Sequence, residues 1–436
     1  MSAPGRPKRE SLPLRGKARS AKGAPMRRRR FLGLTAAIGA GGVGVAWKLW
    51  PEQGMRNPCL AGLPPRLAGH ELVHAAWNGI DPTQVWDSHA HLVGIGDSGD
   101  GVWISPDTES PVHPLQFAQR MFFLNAGCAN GAPGQVDRSY VERMWSLQDA
   151  MRPGAKLLLL AFDRSYTEGG DVALDRSSFY VPNAAACAVA QRYPGRFEWA
   201  ASIHPYRRDC VAELELAAGQ GARAVKWLPA AMGIDPGSPL CDRFYSALAR
   251  LDLPLITHAG LERAVRGGDA QEYGNPLRLQ RALEHGVRVV VAHCASMGQD
   301  RDLDRGPHGP VVDSFDLFAR MMEMPRYVGK LFGDLSALPQ RARASPALGR
   351  LIERTEWQPR LLNGSDYPLP GVMPLYSIDY LAELGFIERT TAPVLSEIRR
   401  YNPLLFDFVL KRHLVVAGKR FAASVFETRP FFSRAA

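Results

Sequence analysis

Between residues 83 and 413 the chain alternates short β-branched or aliphatic runs with longer stretches whose apolar positions recur at helical spacing. The short runs predict strands at 83–91, 156–162, 197–204, 222–228, 254–258, 287–293, 327–335 and 360–364. Helical patterns fall between them at 184–192, 210–218, 241–250, 276–284, 315–324 and 348–355. A last helix covers 396–413, with Pro403 marking a kink or a restart. Strands that alternate with helices predict a parallel sheet with right-handed crossovers. Eight such units predict an α/β protein, a (β/α)8 TIM barrel with a long insertion after strand one (92–154). No Gly-x-Gly-x-x-Gly follows the first strand and no Walker-type loop is present, which argues against a nucleotide-binding fold.

Charge divides the chain unevenly. Residues 1–50 hold twelve Lys and Arg against the single acid Glu10, so the net charge of +10 resides there and the rest of the chain is close to neutral. This argues against nucleic acid as a partner of the folded part. Within that leader Arg27-Arg28-Arg29-Arg30-Phe31-Leu32 precedes a Gly/Ala-rich uncharged stretch, 31–47. The pattern resembles a bacterial twin-arginine export signal, which implies the export machinery as a partner and a periplasmic or exported location. An uncleaved leader would tether the protein to the inner membrane, 17 residues lying at the short edge of a span. The chain divides into a disordered basic leader (1–50), a linker (51–80), the barrel (81–415) and a C-terminal tail (416–436). Six cysteines show no metal-type spacing, and an oxidising destination permits disulfides that spacing cannot pair.

The ionisable residues gather at the predicted C-terminal strand ends, where a parallel barrel keeps its chemistry. Strand one ends in Asp87-Ser88-His89-Ala90-His91. Residues two apart on a strand share a face, so the two imidazoles either converge on one cation, with Asp87 available to orient a ring, or stand as polar strand-end residues with no metal. Strand four ends in Lys226, strand five in His258 and strand six in His293, and strand eight leads into Asp366. Closure of a barrel brings strands one and eight together, which sets Asp366 against His89 and His91. His204 at the end of strand three is expected to be structural, with contact to the substrate as the alternative. His113, His285 and His308 are expected in solvent, Arg164 in a surface salt bridge, and Trp103, Phe122, Phe123 and Trp145 in a lid, a dimer contact or the core.

With these motifs the sequence resembles the amidohydrolase superfamily, in particular its amidohydrolase-related branch of metal-dependent barrel hydrolases and decarboxylases. The resemblance lies in DSHAH at 87–91, AVKWLP at 224–229, LPLITHAG at 253–260, VVVAHCAS at 289–296, NGSDYP at 363–368 and IRRYNPLLF at 398–406. It implies one or two divalent ions, zinc first and Mn, Fe or Co as alternatives, held by His89, His91, His258 and Asp366. It further implies His293 as a second-metal ligand or a catalytic acid/base. Lys226 is either a carbamate bridge between two ions or a partner of Asp366 or of a substrate carboxylate. Asp366 would shuttle the proton of a metal-activated water onto a leaving group. The expected activity is hydrolysis of a C–N or C–O bond next to a carbonyl in a small-molecule substrate. The alternatives are non-oxidative decarboxylation and a catalytically silent binding barrel.

Overall fold

The computed structural model describes residues 52–129, 131–265 and 270–433. The leader reading, with its export signal and its 31–47 tether, lies outside these residues. Among the described residues no helix is long and apolar enough to cross a membrane.

Among the described residues eight parallel strands form one set: β1 (Trp86–His91), β2 (Lys156–Leu160), β3 (Phe197–Ala200), β4 (Val225–Trp227), β5 (Leu255–His258), β6 (Val289–Ala292), β7 (Leu331–Asp334) and β8 (Leu361–Leu362). β1 to β3 pair in sequence order, as do β4 to β8. A bridge between Ala201 and Val225 joins β3 to β4, and one between Ala90 and Tyr367 joins β8 to β1. The Ser88 N–H donates to Asn363 O at 3.0 Å and the His91 N–H to Tyr367 O at 2.8 Å, which completes the closure. The architecture is the (β/α)8 barrel that the alternation predicts.

Helices Asn183–Arg192, Cys210–Gly219, Asp242–Arg250, Gln280–Glu284, Ser314–Glu323 and Gly349–Glu353 form the outer layer between successive strands. The seventh strand is shorter than predicted, because Pro325 starts a 3-10 turn and Gly329, at φ +77, bends the chain before Leu331. The closing helix is two helices, Ala392–Tyr401 and Pro403–His413. Pro403 has no N–H to continue the first, and the Asn402 side chain caps the second by accepting from Leu405 N.

The barrel interior is filled by Trp86, Leu158, Leu160, Ala200, Ile256 and Val290, with Leu362 and Ala224. Its lower end is stoppered by the C-terminal turn Arg429–Phe432: Phe432 is buried in this cluster and the Phe431 ring lies 4.6 Å from that of Phe332. The insertion after β1 forms helices Pro114–Ala126 and Val136–Leu147. Its short strand Trp103–Ile104 pairs with Phe179–Tyr180 from the segment after β2. Ahead of the barrel, Cys59 is disulfide-bonded to Cys128, just past the first insertion helix. The remaining cysteines, 187, 210, 241 and 294, are buried and free.

Candidate metal centre

The pleat of the strands aims the site. Ile256 faces the barrel interior and His258, two residues on, shares its side; Ala224 and Lys226 are related in the same way, as are Phe332 and Asp334. β1 breaks this parity, since Trp86 faces the interior and His89 lies three residues later. The reason is a bulge: Asp87 pairs with Leu157 and Ala90 with Leu159, so β1 spends one residue more than β2 over the same span. The extra residue rotates His89 and His91 onto the side of Lys226 and His258. At the facing position on the β8 side stands Gly364, where a Cβ would come within 2.7 Å of His89 Cβ, so only glycine leaves room for that imidazole.

Three ligand-type atoms converge. His89 Nε2 is 3.2 Å from His91 Nε2 and 3.5 Å from Asp366 Oδ1, and His91 Nε2 is 3.3 Å from the same oxygen. Ligands about 2.1 Å from a tetrahedral ion stand about 3.4 Å apart, so this buried triangle fits a divalent cation. His89 Nδ1 donates to Asp334 Oδ2 at 2.8 Å, which turns the lone pair of Nε2 toward the triangle. Asp87, expected to orient a ring, instead accepts the main-chain N–H of His89 at 3.1 Å and of Ser365 at 2.8 Å, tying β1 to the turn that carries Asp366. Asp366 itself sits at φ +62, a left-handed conformation that costs a non-glycine residue energy and is frequent at functional sites.

The other expected residues surround the triangle. Lys226 Nζ, fully buried, lies 2.9 Å from His89 Nε2. Burial lowers its pKa to about 8 against the pull of Asp334 and Asp366. His293 Nδ1 bonds Ser336 O at 2.9 Å, and its Nε2 is 3.7 Å from Asp366 Oδ2. The His258 ring lies 5.3 Å from that of His293. Its buried Nε2 stands 3.3 Å from Glu262 Oε2 without hydrogen-bond geometry, a polar atom open to a further partner. Burial lowers His91 to about 4 and His293 to about 3, so both present neutral imidazoles. Burial works to raise Asp366, but its contacts with the surrounding imidazoles, including the hydrogen bond of His91, outweigh it and hold the carboxyl well below the ordinary carboxylate range.

Four residues absent from the sequence reading belong to this site. Asp334 orients His89 and accepts the His293 N–H at 2.8 Å. Ser336 Oγ lies 3.0 Å from His89 Nδ1 and 2.8 Å from His293 Nδ1. Glu262 is four residues beyond His258 in the loop after β5, and Arg343 lies on the segment after β7. Asp334 carried a usable signal, being a carboxylate at a predicted strand end like the others. Arg343 carried none.

The centre opens into a cavity of about 1340 Å³, mouth included, roofed by the insertion and by the segment after β2. Trp103 and Phe123 line it, whereas Trp145 is exposed and stacks with Arg196. Among the described residues Arg164 makes no ion pair; its guanidinium lies 3.8 Å from the Tyr180 ring centroid. His204 is saturated as expected of a structural residue, donating from Nε2 to Met232 O at 3.0 Å and accepting the Tyr206 N–H on Nδ1 at 3.2 Å.

The family profile described as amidohydrolase matches residues 86–404. Among solved structures, an uncharacterized TIM-barrel protein from Bordetella bronchiseptica is 17% identical with a TM-score of 0.44, covering 70% of this chain and 91% of its own. A probable 2-pyrone-4,6-dicarboxylic acid hydrolase from Acinetobacter baumannii is 16% identical with a TM-score of 0.41, covering 73% and 100%. The IDCase of Metarhizium anisopliae is 14% identical with a TM-score of 0.41, covering 82% and 98%. No curated protein matches the chain.

Proposed function

Because the chain belongs to the amidohydrolase family, we propose that it is a metal-dependent hydrolase that cleaves a C–N or C–O bond next to a carbonyl in a small molecule. The observation that carries this reading is the buried triangle of His89 Nε2, His91 Nε2 and Asp366 Oδ1, whose sides match the ligand spacing of a tetrahedral ion. Imidazole and carboxylate donors suit zinc first, with Mn, Fe and Co as alternatives. A divalent cation held there supplies a Lewis acid for the substrate carbonyl and lowers the pKa of water toward neutrality.

The chain's own groups do the rest. Asp366 holds Oδ1 in the triangle and keeps Oδ2 on the side of His293, ready to take a proton from the attacking water and deliver it to the leaving group. His293 has Nδ1–H committed to Ser336 O, so in the neutral ring its Nε2 presents a lone pair, placed to act as a base or as a ligand of a second ion. Lys226, with a pKa near 8, has a substantial neutral fraction just above neutral pH, which supports carbamate formation as a route to a second ion. The leader's twin-arginine pattern and the Cys59–Cys128 disulfide together support export to an oxidising compartment.

The test is metal analysis and turnover on chelator-free protein. His89→Ala is expected to lose both metal and activity. Asp366→Asn is expected to fold with an unchanged melting temperature to within a few degrees and to lose at least a hundredfold in kcat. Stoichiometric metal in the first variant, or near-normal turnover in the second, contradicts the assignment. An assay panel of amides, esters and lactones run beside carboxylic acids decides the chemistry, since CO₂ release without hydrolysis would replace the hydrolase reading by a decarboxylase.

A further inference from the structure

One charged group in the cavity has no evident structural task. Arg343 is only 7% exposed, yet among the described residues its one side-chain hydrogen bond runs from Nη1 to Ser296 Oγ at a long 3.3 Å, and its Nε is buried without a partner. No carboxylate stands within ion-pair distance of it among the described residues, although its charge is felt at His258, His293 and Glu262 and it feels that of Asp366. Burying an arginine fork with most of its donors unused is costly, because a desolvated charge needs a counter-ion with hydrogen-bond geometry. Of the other arginines that line the cavity, Arg120 pairs with Glu109 at 3.2 Å and Arg176 is exposed, so neither is a buried fork like Arg343. The chain next to Arg343 is fixed rather than loose, its N–H donating to Gln340 O at 2.9 Å. The cavity as a whole exposes mainly apolar surface, with Ile95, Ile104, Phe123, Leu124, Phe179 and Val181 among its lining residues.

We propose that Arg343 anchors a carboxylate of the substrate, so that the substrate is a small acid with an apolar body whose reacting bond is presented to the His89–His91–Asp366 cluster. The inference rests on the hydrolase reading for what happens at the cluster and adds the chemical class of the molecule. A planar guanidinium matches a carboxylate bidentately, which fixes orientation as well as position. Seating an acid there satisfies the unused donors and neutralises the buried charge in one contact. The apolar wall accounts for the remainder of the ligand, so a neutral molecule of the same shape loses the anchor and keeps only the wall.

The experiment is calorimetric titration of the zinc-loaded full-length protein with benzoate and cyclohexanecarboxylate, each beside its carboxamide. The wild type is expected to prefer each acid over its amide by at least tenfold. Arg343→Met is expected to weaken the acids at least tenfold, leave the amides within twofold, and retain the metal content. Arg343→Lys, which keeps the charge without the fork, is expected to fall between the two, and it decides the matter by the same acid-to-amide ratio if the methionine variant does not fold. Unchanged acid affinity in the variants places the carboxylate on the metal cluster instead and overturns the proposal. Equal losses for acid and amide, or no binding of either acid to the wild type, overturn it as well. Absence of metal from the purified protein sinks the hydrolase reading, and the acid-to-amide ratio then still reports on Arg343 by itself.

Discussion

His204 and His258 look alike in the sequence, each a histidine ending a barrel strand, and their side chains have opposite fates. His204 has both ring nitrogens occupied by main chain, whereas His258 keeps a buried Nε2 without a partner. The first is therefore a structural residue, and its tautomer is fixed because a carbonyl can only accept: the proton is on Nε2. Burial lowers its pKa to about 3 from an ordinary 6.5. The folded chain thus excludes a proton that the unfolded chain binds between these values, so the stabilising contribution is present above pH 6.5 and is lost as pH falls toward 3, at about 1 kcal/mol per pH unit. Nitrogen-15 spectra of the imidazoles, with His204 assigned by its loss in His204→Gln, are expected to show a neutral Nε2–H ring down to pH 5. A protonated His204 at pH 5 contradicts this. At this scale the sequence displayed the residues whose chemistry is named by their type and position, namely His89, His91, Lys226, His258, His293 and Asp366. It concealed Arg343, nine residues beyond the end of β7 in an irregular segment where no periodicity points inward.

Two elements decide whether those residues meet. The bulge in β1 is what brings His89 and His91 to the inner side above Trp86, and no hydrophobic pattern announces it, because the run 83–91 reads as a regular strand. The lid is the second. Its helix Pro114–Ala126 ends near Cys128, which is bonded to Cys59, and Asn57 reinforces the join by bonds to Asn125 and Ala126. Gln116, Gln119, Arg120, Phe123 and Leu124 of this helix line the cavity, so the disulfide fastens one wall of the site to the segment that precedes the barrel. A crosslink with a sequence separation of 69 restricts the unfolded chain by up to about 4 kcal/mol on loop-entropy grounds. The double variant Cys59→Ser/Cys128→Ser is expected to melt several degrees lower and to match the wild type measured in reductant. Equal melting temperatures for oxidised wild type and the double variant contradict the role. Spacing could not reveal this pair, since the partners are brought together by the insertion, whose sequence matches no regular pattern.

For the whole molecule, the eight-fold alternation was legible because each strand has a hydrophobic signature and each helix a period of its own. The stopper at the lower end was not, because 416–436 lacks any such period and Phe431 and Phe432 find their place only once the barrel has closed. Closure also makes the site, since Asp366 faces His89 and His91 only after β8 has returned to β1. The buried Arg399 helps to hold that return: its Nε donates to Pro370 O at 2.8 Å and its Nη2 to Val372 O at 2.9 Å, fixing the segment just beyond Asp366. The sequence signature 398–406 is thus a brace for strand eight's turn and does not itself enter the cavity. The most direct test of the account is anomalous diffraction from crystals of chelator-free protein, with data collected on both sides of the absorption edges of zinc, iron, cobalt and manganese. The account predicts an anomalous peak bonded to His89 Nε2, His91 Nε2 and Asp366. Fully folded protein whose crystals show no peak there, or show one held by other side chains, would contradict it.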